Sequence, residues 1–211
     1  MSANALVFLV EDDEALRRAT TRLLASHGFE VRAFATAEDF LAGYDPALAG
    51  CLLLDLRLPG QSGLELQRTL EQRGDPPSIV FLTGHADVPT SVFAMKRGAI
   101  DFLEKPVNEQ DLLAAIQRAV ESDAQAREER RRLARVKSRF ARLTAREREV
   151  FGEIIAGRLN KQAAFALGIA ERTVKLHRAR VLEKMGADSV ADLVRMAEVL
   201  DLRPPARGTP T

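Results

Sequence analysis

Four short stretches of this chain carry side chains that could do chemistry together: Glu11-Asp12-Asp13, Asp55, Thr83, and Lys105 followed by Pro106. Carboxylates gathered at one place repel one another, and a divalent cation relieves that repulsion. Hard, partly hydrated Mg²⁺ (or Mn²⁺) suits such an all-oxygen donor set, with Asp12 and Asp55 as its ligands. Lys105 adds a fixed positive charge and Thr83 a hydroxyl donor. Taken singly, each residue has an ordinary explanation, since acids after a strand often cap the next helix and lysines are commonly solvated. Their joint placement is informative because each group follows a different apolar run.

Those runs, Leu6–Val10, Phe29–Phe34, Cys51–Leu54, Ile79–Leu82 and Ala99–Leu103, read as strands, with helical patterns between them. Gly28, Gly74 and Gly98 each follow a periodic segment, where glycine can adopt the left-handed conformation that closes a helix. The alternation predicts an α/β fold, a (βα)5 doubly wound parallel sheet, whose sites lie at the carboxyl ends of the strands. All four chemical stretches map to that edge.

Charge divides the chain as well. Cutting after Val120 leaves a net charge of −6 before the cut and +7 after it. An acidic half can hold a cation and a basic half can meet phosphates, although either balance also fits a merely solvated surface. The single cysteine, Cys51, lies in an apolar run and reads as a core residue in a reducing compartment. No run reaches the length of a membrane span, so a soluble cytoplasmic protein without membrane contact is expected.

The fifth helix is predicted to start near Glu109, capped by Asn108, with Leu112, Leu113, Ile116 and Val120 on one buried stripe. Residues 123–142 then read as an exposed helical linker, rich in Arg, Glu and Ala. Leu133, Val136, Phe140 and Leu143 recur at helical spacing and are expected to dock on a neighbour. Beyond them strand signals vanish. Thr144 with Glu147 forms a capping-box pattern opening a helix to about Ala156, followed by Asn160–Leu167, Glu171–Met185 and Ser189–Leu200. The expected domains are 1–122, the linker 123–142, a small all-α four-helix domain over 143–203, and a disordered tail over 204–211.

Within that helical domain Leu167, Ile169, Val174, Val181 and Leu182 are predicted to form the core of a helix-turn-helix. Arg172, Thr173, Lys175, His177, Arg178 and Arg180 are left mostly outward, suited to phosphates beside a major groove.

The spacing of Glu11-Asp12, Asp55 within Leu-Leu-Leu-Asp-Leu-Arg-Leu-Pro-Gly, Thr83-Gly84-His85 and Lys105-Pro106 resembles the receiver domain of two-component response regulators. The resemblance implies that Asp55 attacks the phosphorus of a histidine kinase's phosphohistidine. It also implies that Glu11 sits just outside the metal shell, that the backbone carbonyl of Arg57 is a further ligand, and that Phe102 is the switch aromatic answering Thr83. A carboxylate is a weak nucleophile, so transfer depends on the cation and Lys105 neutralising the phosphoryl oxygens.

The C-terminal region, Leu143-Thr144-Ala145-Arg146-Glu147-Arg148-Glu149-Val150 with Asn160-Lys161-Gln162, Gly168-Ile169, Thr173-Val174-Lys175 and Lys184-Met185-Gly186, resembles LuxR-type DNA-binding domains. Together the halves are similar to the FixJ branch of the NarL/FixJ regulators. The resemblance implies that Glu171–Met185 is the recognition helix, with Thr173, Lys175, Leu176 and His177 nearest the bases or backbone of double-stranded DNA. Asn160 and Lys161 fall on flanking phosphates, and Val190, Leu193 and Val194 on a dimer surface. Two positions depart from the family: Ala163 replaces a usual isoleucine, with Phe165 expected to refill the volume, and Ala179 stands where a polar residue is common.

The function expected from these features is transcriptional control. Phosphorylation of Asp55 drives homodimerisation and DNA binding, with RNA polymerase as a further partner. A phosphohydrolase is disfavoured, because Arg57 stands where such an enzyme needs a second acid/base aspartate. The alternative is a phosphorylation-independent DNA binder that retains the first domain as a scaffold.

Overall fold

The computed structural model describes residues 5–74, 76–84 and 88–203. They divide between Arg127 and Glu128 into two compact units. His85 and the tail expected over 204–211 lie outside the described residues.

The first unit alternates β1 (Leu6–Val10), α1 (Glu14–Ser26), β2 (Glu30–Phe34), α2 (Ala37–Gly43), β3 (Gly50–Asp55), α3 (Gly63–Arg73), β4 (Ser78–Thr83), α4 (Val88–Lys96) and β5 (Asp101–Glu104), and ends with the first part of α5 (Glu109–Ala141), whose residues from Glu128 on belong to the second unit. Among the described residues the strands form one parallel sheet in the order β2-β1-β3-β4-β5. β1 and β3 are apolar at nearly every position because both of their faces are covered. Phe8, Val10, Leu52, Leu54 and Phe81 meet Phe40 of α2 and Leu66 and Leu70 of α3. From the opposite face Val7, Leu9, Cys51, Leu53 and Val80 meet Leu24 of α1 and Leu112, Ile116 and Ala119 of α5. Burial pushes the Cys51 thiol up to about 12, as fits a core residue.

β5 starts at Asp101, two residues later than its apolar run. The Ala99 N–H is still occupied in closing α4, donating to Ala94 O at 3.2 Å behind left-handed Gly98. The expected Asn108 cap is present, its Oδ1 accepting from Asp111 N at 2.8 Å. The expectation of an exposed helix from residue 123 fails for two residues. Asp123 and Arg127 are buried. Gly50 N–H donates to Asp123 Oδ2 at 3.0 Å, while Arg127 reaches the same oxygen through Nε and Pro46 O through Nη1, each at 2.6 Å. This pair fastens α5 to the start of β3, and polar residues gave the apolar pattern no sign of it.

In the second unit α6 (Ala145–Ile155), α7 (Asn160–Leu167), α8 (Glu171–Met185) and α9 (Val190–Val199) pack around Val150, Phe151, Ile154, Val181, Met185, Leu193 and Ala197. Val136, Phe140 and Leu143 join this cluster, so the seam at the end of α5 docks on the helices that follow it in the chain. Leu133 lies outside the cluster and is half-buried. The predicted helix-turn-helix core is split. Leu167, Val181 and Leu182 belong to the main cluster, whereas Val174 and Ile169 pack separately with Ala163 and Ala164. Phe165 refills nothing, being 92% exposed. Ala163 and Ala164 use the inward side of α7, and the next residue is carried about 100° round the helix toward solvent.

The α6 capping box forms as expected, with Glu147 Oε2 accepting from Thr144 N at 2.8 Å. Lys184 Nζ lies 2.6 Å from the same oxygen, and these bonds hold the Glu147 carboxyl down to about 2. A carboxyl lowered on folding contributes stability above its unfolded value, and that contribution is lost as pH falls from about 4.5 toward 2.

Two outcomes are expected. Lys184→Met destabilises the second unit by about 1–2 kcal/mol at neutral pH and flattens its acid melting profile between pH 4.5 and 2, read by circular dichroism. In the first unit, a Cβ at Gly63 would lie 2.4 Å from Asp55 O, so Gly63→Ala lowers stability by about 2 kcal/mol in chemical denaturation.

Candidate functional site

At the carboxyl edge of the sheet, the residue after β1 is Glu11, the last residue of β3 is Asp55, the last of β4 is Thr83, and Lys105 follows β5. Asp55 stands opposite Leu82 in register and Thr83 opposite Glu104, so adjacent strands present these side chains side by side. The Lys105–Pro106 peptide is cis, and Lys105 N–H donates to Thr83 O at 2.7 Å. Lys105 Nζ reaches Asp55 Oδ2 at 2.5 Å and Glu11 Oε2 at 2.6 Å. The other Asp55 oxygen, Oδ1, accepts from the Arg57 backbone N–H at 2.9 Å.

Burial sets the electrostatics. Glu11 is 1% and Asp55 6% exposed. Loss of hydration raises the Glu11 pKa, the Lys105 hydrogen bond opposes the rise, and the Asp55 charge adds to it. For Lys105, burial disfavours the ammonium, but its hydrogen bonds to Asp55 and Glu11 outweigh that and leave its pKa raised. The lysine is therefore a permanent cation at neutral pH.

Glu11, Asp12 and Asp55 each offer a carboxylate oxygen, and the three lie within 4.8 Å of one another. An all-carboxylate set with two buried members and one exposed member fits a hard divalent cation that keeps part of its water. Asp13 does not join them. It caps α1, its Oδ1 accepting from Leu16 N at 2.8 Å, so the ordinary explanation of an acid after a strand holds for this residue alone. Arg17 was not anticipated. Its Nη1 donates to the backbone carbonyls of Glu11 at 2.7 Å and Asp12 at 3.0 Å, fixing the acidic loop from the first turns of α1. Thr83 is fully buried, and Phe102 is half-buried with its ring centroid 6.0 Å from that of Phe81.

In the second unit, Arg172, Lys175, Leu176, Ala179 and Arg180 are exposed along α8, while Thr173 and His177 are half-buried. Lys161 is exposed and Asn160 half-buried at the start of α7. Arg178 is turned from the outward row expected for it, and its Nη1 donates to Arg158 O at 3.2 Å. On α9 the expectation of a surface formed by Val190, Leu193 and Val194 fails for Leu193, which is fully buried; Val190 remains 39% exposed.

The chain thus joins a doubly wound sheet with a buried acidic edge to a four-helix unit bearing a basic helix. Residues 7–117 match the response regulator receiver domain family and residues 141–197 the luxR family of bacterial regulatory proteins. Nodulation protein W of Bradyrhizobium diazoefficiens is 47% identical over 95% of this chain and 88% of its own. The transcriptional regulatory protein FixJ of Azorhizobium caulinodans is 40% identical over 97% of each chain. Among solved structures, response regulator StyR superposes with a TM-score of 0.84 at 45% identity, over 93% of this chain and 99% of that one. The chain belongs to the two-component response regulators with a receiver domain and a LuxR-type DNA-binding domain, in the company of FixJ-like proteins. That family comprises transcriptional regulators rather than enzymes, and membership implies a histidine kinase partner and DNA binding. No helix among the described residues is long and apolar enough to cross a membrane.

The acidic cluster leads to a binding prediction. Mg²⁺ raises the melting temperature of the first unit in the intact protein, and Asp12→Asn weakens the midpoint of that titration by roughly tenfold or more.

Proposed function

We propose that Asp55 accepts a phosphoryl group from a histidine kinase and that the resulting charge controls dimerisation and sequence-specific DNA binding in the cytoplasm. The observation that carries this reading is the double contact of Lys105 Nζ, 2.5 Å from Asp55 Oδ2 and 2.6 Å from Glu11 Oε2. In the transfer, an Asp55 carboxylate oxygen forms a bond to phosphorus while the phosphorus–nitrogen bond of the kinase's phosphohistidine breaks. The electron pair of the broken bond returns to the imidazole nitrogen and the ring's other nitrogen keeps its proton, which leaves an acyl phosphate on this chain and a neutral histidine on the donor. Lys105 holds positive charge against the transferred group, and Thr83 donates its hydroxyl to a phosphoryl oxygen. Asp12, Asp55 and the Arg57 backbone carbonyl would hold Mg²⁺ (or Mn²⁺), with Glu11 acting through the neighbouring shell. The cation supplies neutralisation of the phosphoryl oxygens.

Phosphorylation adds about −1.5 to −2 charge at the sheet edge. Thr83 senses that charge and Phe102 follows it, changing the face made by α4 and β5. Val92, Phe93 and Met95 of α4 are each 44% exposed, an apolar surface suited to a second copy of the chain. Dimerisation makes the second half-site contact intramolecular, which raises occupancy without new contacts to DNA. Residues 1–122 act as the receiver, 123–142 as the linker and 143–203 as the DNA-binding domain. Arg172, Thr173, Lys175, Leu176, His177 and Arg180 of α8 contact DNA, Asn160 and Lys161 hold flanking phosphates, and RNA polymerase is the downstream partner.

Incubation with acetyl phosphate and Mg²⁺ is expected to add one phosphoryl group, read by intact mass, and to shift the protein toward dimer in light scattering. Asp55→Asn should do neither. Equal labelling of that variant, or DNA binding indifferent to phosphodonor in the wild-type protein, would favour a phosphorylation-independent DNA binder.

A further inference from the structure

The two ends of α8 are held very differently. At its N-terminus the capping position is Ala170, with no side-chain hydrogen bond, and the nearby apolar support is the small cluster of Val174, Ile169, Ala163 and Ala164. At its C-terminus Val181 and Met185 lie in the main core, beside Val136 and Phe140 from the end of α5 and Leu143 just after it. Lys184 Nζ bonds Glu147 Oε2 at 2.6 Å and reaches Arg142 O at 3.5 Å. Arg139, in the last turn of α5, donates from Nη1 to Met185 O at 2.9 Å, the carbonyl of the final residue of α8. Last-turn carbonyls have no partner within their own helix and carry its negative dipole end, so a guanidinium is well matched there.

Gly186 completes the fit. Its φ of 59° ends α8 in the left-handed conformation, and a Cβ there would lie 2.8–3.0 Å from three atoms of the Arg139 guanidinium. The end of α5 is itself fastened, with Arg148 Nη2 donating to Ala141 O at 3.2 Å and Phe140 stacked edge-on with Phe151 at 5.4 Å. Orientation of α8 is thus set from the end remote from its basic N-terminal half, and by residues the sequence pattern assigns to the linker.

We propose that Arg139 is a positioning residue for DNA reading: it contacts no DNA, and it aims α8 by clamping the Met185 carbonyl over Gly186. The proposal rests on the reading of α8 as the recognition helix. Met185 is itself fully buried while Arg139 borders an open groove of about 270 Å³, so Arg139→Gln, which removes no core packing and keeps an amide donor beside the Met185 carbonyl, should fold.

The test uses the full-length protein and two duplexes of equal length, one selected by the wild-type chain from a random pool and one scrambled. Arg139→Gln is expected to lose roughly tenfold in affinity for the selected duplex, a loss comparable to one base contact. Its affinity for the scrambled duplex and its salt dependence stay unchanged, because no phosphate contact is removed. Arg139→Lys recovers part of the loss. Gly186→Asn, which tolerates the left-handed backbone but displaces the guanidinium, reproduces it. Unaltered binding of the selected duplex by both Arg139→Gln and Gly186→Asn overturns the proposal, as does a parallel fall on both duplexes with a shallower salt slope. Lys175→Ala separates the underlying reading: if it binds both duplexes as the wild type does, α8 is not the DNA-reading helix and the positioning role falls with it.

Discussion

The structure turns on a lysine ammonium held against two buried carboxylates at one edge of a sheet. Without Lys105, Glu11 and Asp55 would face each other as buried like charges, an arrangement that calls for a compensating cation or for protonation of one of the two. Everything around them serves that compensation. Strand register sets Asp55 and Thr83 on neighbouring strands, the Arg57 amide holds the second Asp55 oxygen, and Arg17 pins the loop that carries Glu11 and Asp12. The site is consequently rigid in its backbone and charged in its interior, and a further negative group there must be met by movement of charge or hydroxyl. That is the physical basis for the proposed response to phosphorylation.

Such a response needs an element that can occupy two arrangements, and β5 and α4 are less completely covered than the central strands β1, β3 and β4. β1 and β3 are sealed on both faces, but Phe102 is only half-buried and α4 leaves Val92, Phe93 and Met95 in solvent. A sealed centre with a loosely covered flank confines any rearrangement to that flank. The apolar exposure on α4 carries a solubility cost that association with a second copy would remove.

The second unit solves a different problem, that of presenting a basic helix at a defined angle from a small core. Its main cluster grips α8 at Val181 and Met185, and polar contacts from Arg139 and Lys184 finish the C-terminal end. The N-terminal half is left with little more than Val174 against two alanines. Ala163 makes that contact small, and Phe165, pointing away, does not enlarge it. A helix anchored at one end and open at the other keeps its charged half free for a ligand while its direction is set by the core.

Much of this was written in local pattern. Apolar runs of four to six residues marked the strands, glycines marked the helix ends, and Thr144 with Glu147 marked the opening of α6, because each depends on interactions within a few residues. Shared strand order then brought Glu11, Asp55, Thr83 and Lys105 to one edge, since in a parallel sheet the place after each strand is the same place in space. What only tertiary structure decided were contacts between residues far apart in the chain, whose chemistry does not show in periodicity. Asp123 and Arg127 look like solvated linker charges until Gly50 and Pro46 meet them. Leu193 and Phe165 are both apolar on amphipathic helices, yet one is core and the other solvent, because the angle at which a helix meets its neighbours chooses between adjacent sides of its surface. Hydrophobic spacing can say that a face is buried, but what covers it is settled when the whole chain packs.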